Sequence, residues 1–225
     1  MSSIILLGIL SACGNNQDNN KATGIAAAKT SGLQATSAEK INASRNILFF
    51  GTSLTAGYGL DPAEAYPSII QHKIDSLNLP YKVINGGLSG ETSAAGKSRI
   101  DWLLKQPIHI FVLELGANDG LRGLSVTETS ANLQAVIDKV KSKYPDVKML
   151  MAGMQMPPNM GAKYTADFKT VFSKLAEKNK MTFVPFLLEG VGGVARLNQE
   201  DGIHPTAEGQ KILAENVWEK LKGEL

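Results

Sequence analysis

From Asn46 onward, short apolar runs bounded by Gly, Pro and Asn alternate five times with longer stretches of helical period. Ile47-Leu48-Phe49-Phe50 is too short for a buried helix and is closed by Gly51, so it reads as a buried strand. Glu64–Leu77 carries apolar residues at 65, 66, 69, 70, 74 and 77, a helical spacing stopped by Pro80. The alternation continues with a strand over 81–84 closed by Asn85-Gly86-Gly87, a helix over 92–104 and a strand over 108–115 opened by Pro107. A long amphipathic helix over 126–143, ended by Pro145, leads to a strand over 147–152. A helix over 164–179, a strand over 182–186 and a last helix over 205–221 complete the series. Five β–α units predict an α/β fold, a three-layer α/β/α sandwich around a five-stranded parallel sheet. Right-handed crossovers leave few topologies, of which the flavodoxin-like strand order is favoured.

The residues before this alternation read differently. Ile4–Leu10 is apolar but far shorter than the roughly 20 residues that span a bilayer, and it suits the apolar region of a secretory signal. Leu10-Ser11-Ala12-Cys13-Gly14 follows and resembles the lipobox of bacterial lipoprotein signals, in which the cysteine carries lipid; no Lys or Arg precedes the run, a departure from that pattern. Residues 14–45 contain only Ile25, Leu33 and Ile41 from the Ile/Leu/Val/Phe/Met set, too little to offset the entropy of ordering a chain. The expected organisation is a signal over 1–12, a lipidated Cys13 with a tether over 13–45, and one domain over 46–225. The expected location is outside the cytoplasm, on a bacterial membrane.

Composition excludes several functions. The 23 basic and 21 acidic residues give a net charge of +2, so no basic field favours nucleic acid. The single cysteine rules out an intrachain disulfide or a Cys-based zinc site. The three histidines are 72, 109 and 204, of which His72 falls mid-helix and His109 inside a strand, positions that favour structural roles. No metal or other cofactor is expected. No phosphate-binding Gly-x-x-x-x-Gly-Lys pattern occurs, and Ser53 is not in a Gly-x-Ser-x-Gly elbow.

Ligands of such sheets bind beyond the carboxyl ends of the strands. There the sequence places Gly51-Thr52-Ser53-Leu54, then Asn85-Gly86-Gly87-Leu88-Ser89-Gly90-Glu91, Gly116-Ala117-Asn118-Asp119-Gly120 and Asp201-Gly202-Ile203-His204-Pro205. Each alone is ordinary turn chemistry. Together they supply a nucleophile in Ser53, a base in His204 and an orienting carboxylate in Asp201, three residues before it. The backbone N–H groups of Ser53 and Gly90 and the Asn118 amide are candidate oxyanion donors.

This set, in this order, resembles the SGNH hydrolase superfamily, the GDSL esterases, over nearly all of 46–225. Leu54-Thr55-Ala56-Gly57-Tyr58-Gly59 and Asn118-Asp119-Gly120-Leu121-Arg122-Gly123 are similar to the thioesterase I/arylesterase branch. The resemblance implies a serine esterase acting on acyl esters or thioesters through an acyl-enzyme. It implies Ser53 as nucleophile, Gly90 and Asn118 as oxyanion donors, His204 as base and Asp201 as its orienter. Thr52 stands where the family name has Asp. The runner-up activity is a carbohydrate O-acetyl esterase, and the rival of another class is a non-catalytic surface lipoprotein that keeps the fold as a binding module. Met154, Met156 and Met160 lie just past the fourth strand and are expected to line an adaptable acyl pocket, with a plain covering of the core edge as the competing reading.

Overall fold

A computed structural model of the chain describes residues 45–225. The signal, Cys13 and nearly all of the tether lie outside the described residues. The strands are β1 (Arg45–Gly51), β2 (Tyr81–Gly87), β3 (Ile110–Glu114), β4 (Lys148–Ala152) and β5 (Thr182–Val184). They form one parallel sheet in the order β2-β1-β3-β4-β5, the flavodoxin-like order. The helices are α1 (Ser53–Ala56), α2 (Tyr66–Ser76), α3 (Ser93–Leu103), α4 (Ala117–Leu121), α5 (Val126–Lys143), α6 (Ala162–Asn179) and α7 (Ala207–Leu221). One helical layer pairs α2 with α7, and the other runs α3, α5, α6.

The sheet is the middle of the core because its central strands are apolar on both faces. Ile47, Leu48, Phe49 and Phe50 of β1 and Phe111, Val112 and Leu113 of β3 have no solvent exposure. Helix α5 lays Leu133, Val136, Ile137 and Val140 against them, the 3–4 spacing of one helix face. Its start is set by the Ser125 side chain, which accepts the Glu128 N–H.

Most element boundaries fall within two residues of the sequence expectation, and the larger departures have local causes. β2 runs three residues further, because Asn85, Gly86 and Gly87 pair with Phe49, Phe50 and Gly51. The glycines are needed there: a Cβ on Gly87 would lie 2.3 Å from the Ala56 amide nitrogen, so α1 can rest on the strand only where side chains are missing. β5 stops two residues early, since Pro185 has no N–H to continue the ladder. α1 and α4 went unread because four or five residues are too few to show a period. His109 lies just before β3 on the surface, its Nδ1 accepting the Asn46 N–H, instead of inside the strand. No helix among the described residues is long and apolar enough to cross a membrane.

Candidate active site

The register of the sheet gathers the motifs. Gly51 ends β1 opposite Gly87 of β2 on one side and Glu114 of β3 on the other. The segments that leave these three strands therefore emerge side by side at one edge. The first begins α1 with Ser53, the second carries Gly90, and the third begins α4 with Ala117 and Asn118. Gly51 also accepts the Leu88 N–H at 2.9 Å, which stitches the first two together.

His204 reaches the same edge from the far end of the chain. Its loop is a narrow hairpin in which Asn198 bridges Pro205, Gln199 N–H donates to the His204 carbonyl at 2.7 Å, and Thr206 N–H donates to Leu197. Gly202, with φ +69°, makes the reversal. Thr206 then caps α7, its hydroxyl accepting from the Gly209 N–H, so the imidazole is held one turn ahead of a rigid helix.

Inside this loop Asp201 is used fully. One carboxylate oxygen accepts the N–H groups of Ile203 and His204 at 2.9 and 3.0 Å, and the other lies 2.6 Å from His204 Nδ1. These bonds, the one from the imidazole foremost, hold the Asp201 carboxyl down at about 2. The other ring nitrogen, Nε2, lies 2.9 Å from Ser53 Oγ. Residues 151 apart in sequence are thus joined through one imidazole, in the geometry of a serine activated by a base that a carboxylate orients.

Gly90 and Asn118 are drawn together by a second set of bonds. Asn118 Nδ2 donates to the Glu91 carbonyl at 3.0 Å, and Arg122 donates to the Gly90 carbonyl at 3.0 Å. Gly90 has φ +78°, a conformation that a side chain would strain. Behind them Glu91, nearly buried, receives two bonds of 2.6 Å from Arg99, whose guanidinium also reaches the Gly86 carbonyl and covers the Phe50 ring. Asp119 is buried beside Asn118 and accepts from Ser93 N–H, the Ser93 hydroxyl and the Thr129 hydroxyl, which ties α4 to α3 and α5.

Three features of the site were given no role by the motif pattern, although Tyr58 lies within one of its segments. Glu114, fully buried at the end of β3, accepts from Thr52 N–H at 2.8 Å and from the hydroxyls of Thr52 and Thr55. Burial pushes its carboxyl up to about 7 against the pull of those bonds. It falls inside the strand expected over 108–115, where a carboxylate within an apolar run is itself unusual. Gln199 donates to the Tyr58 and Pro205 carbonyls at 2.7 and 3.0 Å and so straps the α1 segment to the histidine loop. The Tyr58 ring covers the imidazole, with centroids 4.5 Å apart.

The methionine segment is placed differently from the expectation of an open acyl surface. Met154 and Met156 lie inside the hydrophobic core, 2% and 8% exposed, and Met160 is half-buried against it. Met156 is pressed under α4, its sulfur 2.3 Å from where a Cβ on Gly120 would stand. The exposed apolar side chains on the motif-bearing segments are instead Tyr58, Leu88, Leu121 and Ile203, with Leu124 just beyond α4. No cluster of His, Cys, Asp or Glu among the described residues could hold a metal ion.

Residues 49–212 match the GDSL-like Lipase/Acylhydrolase family. The chain is 39% identical over 181 residues to Esterase TesA of Pseudomonas aeruginosa, covering 80% of this chain and 89% of that one. It is 34% identical over 181 residues to Thioesterase 1/protease 1/lysophospholipase L1 of Escherichia coli K12, covering 80% and 85%. The crystal structure of TesA superposes with a TM-score of 0.76 at 39% identity, over 80% of this chain and all of that one. With the strand order, the four motif segments and these likenesses in agreement, the chain belongs to the GDSL-like lipase/acylhydrolase family, in its thioesterase I/arylesterase-like branch, and is an ester-hydrolysing enzyme.

Proposed function

We propose that the protein hydrolyses acyl esters or thioesters through an acyl-enzyme on Ser53. The observation that carries this reading is the pair of contacts on His204, 2.9 Å to Ser53 Oγ and 2.6 Å to Asp201. In the first step Ser53 Oγ attacks the acyl carbonyl while His204 Nε2 takes its proton. The carbonyl electrons move onto the oxygen, which meets the N–H groups of Ser53 and Gly90 and the Asn118 amide. Collapse of this intermediate expels the alcohol or thiol, which leaves with the proton from His204. Water then repeats the sequence on the acyl-serine and frees the acid. Asp201, ionised across the working range, keeps the Nδ1 proton in place so that Nε2 is the basic nitrogen. The exposed Leu88, Leu121, Leu124 and Ile203 favour substrates with an apolar acyl or alcohol part.

Ser53→Ala is expected to abolish turnover and covalent labelling by a fluorophosphonate while its circular dichroism stays that of the wild type. Retained turnover in that variant, with loss in Ser89→Ala, would assign the wrong serine.

The attachment reading rests on sequence alone: Cys13 after Leu10-Ser11-Ala12 supports lipid modification and a hold on the membrane through residues 14–45. One acyl chain binds a bilayer only marginally, so stable attachment calls for more than one. Cys13→Ser is expected to shift the protein from the membrane to the soluble fraction, and unchanged membrane retention would refute the lipid anchor.

A further inference from the structure

Under the turn that presents Ser53 sits a carboxyl group that the proposed reaction does not use. Glu114 has no exposed surface, and no cation among the described residues lies within ion-pair distance of it. A buried carboxyl without a cation is costly unless its oxygens are matched by donors. Here the donors come from one place. Oε2 accepts Thr52 N–H at 2.8 Å and the Thr55 hydroxyl at 2.8 Å, and the Thr52 hydroxyl spans both oxygens at 3.0 and 3.1 Å. Tyr66, also fully buried, extends the chain of bonds, its hydroxyl 2.9 Å from that of Thr55. The backbone runs so close to the carboxylate that a Cβ on Gly51 would stand 2.5 Å from Oε2 and 2.1 Å from the Thr55 oxygen.

Two further observations separate this cluster from ordinary core polarity. Thr52 is the N-cap of α1, yet its side chain caps nothing, because the hydroxyl is turned to Glu114. The bonded residues, 52 and 55, also bracket Ser53 on both sides. We propose that Glu114 is the positioning residue of the nucleophile, gripping Thr52 and Thr55 so that Ser53 Oγ stays at hydrogen-bond distance from His204. This inference rests on Ser53 being the nucleophile.

The need for such a grip follows from the construction of the site. Ser53 and His204 stand on separate elements, and the productive contact depends on how each is anchored. The histidine side has Asp201 and the Gln199 strap. The serine side has a helix of only four residues, too short to hold a direction by its own hydrogen bonds. Asn85 and Gln210 hold the carbonyls of Thr55 and Leu54, and Glu114 adds the anchor at the N-terminal side of Ser53 from β3, the middle strand of the sheet. Thr52, in place of the family's Asp, contributes a donor to it rather than a second carboxylate. Burial raises the carboxyl toward neutrality, so a neutral group of the same shape is a fair replacement.

The test compares the wild type with Glu114→Gln, Glu114→Met and Ser53→Ala. The readouts are the rate of fluorophosphonate labelling, kcat and KM on p-nitrophenyl butyrate, and folding by circular dichroism. Glu114→Gln keeps an acceptor for Thr52 N–H and is expected to label within about threefold of the wild type. Glu114→Met keeps the length but no polar atom, and is expected to lower labelling and kcat by roughly ten- to a hundredfold with KM changed less than about twofold, the signature of a misplaced reacting group. A folded Glu114→Met that labels at the wild-type rate overturns the proposal, and so does a Gln variant as slow as the Met variant. Should Glu114→Met not fold, Thr52→Val, which removes only the hydroxyl bonds, is expected to slow labelling roughly three- to tenfold, and an unchanged rate overturns the proposal equally. Ser53→Ala separates the two readings: labelling of that variant at the wild-type rate would refute the nucleophile, whereas an inert Ser53→Ala beside Glu114 variants that label like the wild type would refute only the grip.

Discussion

The ring of Tyr58 lies over the imidazole of His204, with centroids 4.5 Å apart and planes inclined by 40°. Tyr58 follows directly on the nucleophile's helix: its N–H donates to the Ser53 carbonyl at 3.0 Å, while its carbonyl accepts from Gln199 of the histidine loop. The ring is half exposed, so it is both a wall of the site and a cover on one face of the base. An aromatic face also stabilises the imidazolium that forms when Ser53 attacks, an effect worth about 0.5–2 kcal/mol. Tyr58→Ala is therefore expected to lower kcat/KM roughly three- to thirtyfold, and Tyr58→Phe to leave it within about twofold. Loss of activity in the Phe variant would move the role from the ring to the hydroxyl.

Asn118 offers a second measurable separation. Its amide is fixed by the Glu91 carbonyl, and the buried Asp119 next to it ties the helix to Ser93, so the amide is held in place before substrate arrives. Asn118→Ala is expected to reduce kcat by about 10²–10³ with little change in KM, because a pre-set donor acts on charge that develops in the transition state. A change confined to KM would make Asn118 a substrate-positioning residue instead.

Glu114 ties stability to pH. Burial raises its carboxyl from 4.5 to about 7 in the folded chain, so the folded state holds the proton over a range where the unfolded state has lost it. The sign follows: the contribution is fully present below about pH 4.5 and is lost as the pH rises through about 7. Urea unfolding of the wild type and of Glu114→Gln is expected to show the wild type losing ground as pH rises across that window, by up to about 3 kcal/mol, and a constant difference above it. A difference independent of pH between 4 and 8 would contradict the raised carboxyl.

The methionines of 153–161 and the exposed leucines divide packing from specificity. Met154→Ser and Met156→Ser each open a core position and are expected to destabilise the fold by about 2–4 kcal/mol without altering the relative kcat/KM for short and medium acyl chains. Leu121→Ser, on the exposed end of α4, is expected to leave stability within about 1 kcal/mol and to reduce kcat/KM for medium chains more than for acetyl esters. A chain-length profile that changes in Met156→Ser and not in Leu121→Ser would return the acyl pocket to the methionine segment.

Much of the architecture was legible because it is written in local pattern. The runs at 47–50 and 147–152 and the helix over 126–143 each carry their own periodicity and their own stop residues, and alternation with right-handed crossovers then restricts the strand order. The motif residues were legible because they fall at strand ends, where this fold presents ligands, and because Asp201 and His204 share one loop. What a linear pattern does not carry is contact between residues of distant segments. That Gly51 stands between Gly87 and Glu114, that Gln199 straps Tyr58 to the histidine loop, and that Met156 lies beneath α4 depend on strand register and helix packing. Glu114 shows the difference most plainly. In the sequence it is one polar residue inside an apolar run, whereas in the folded chain three donors from the Ser53 turn converge on it. Short-range periodicity determines which face of an element is buried, and only the packing of elements against one another determines what a buried polar group meets.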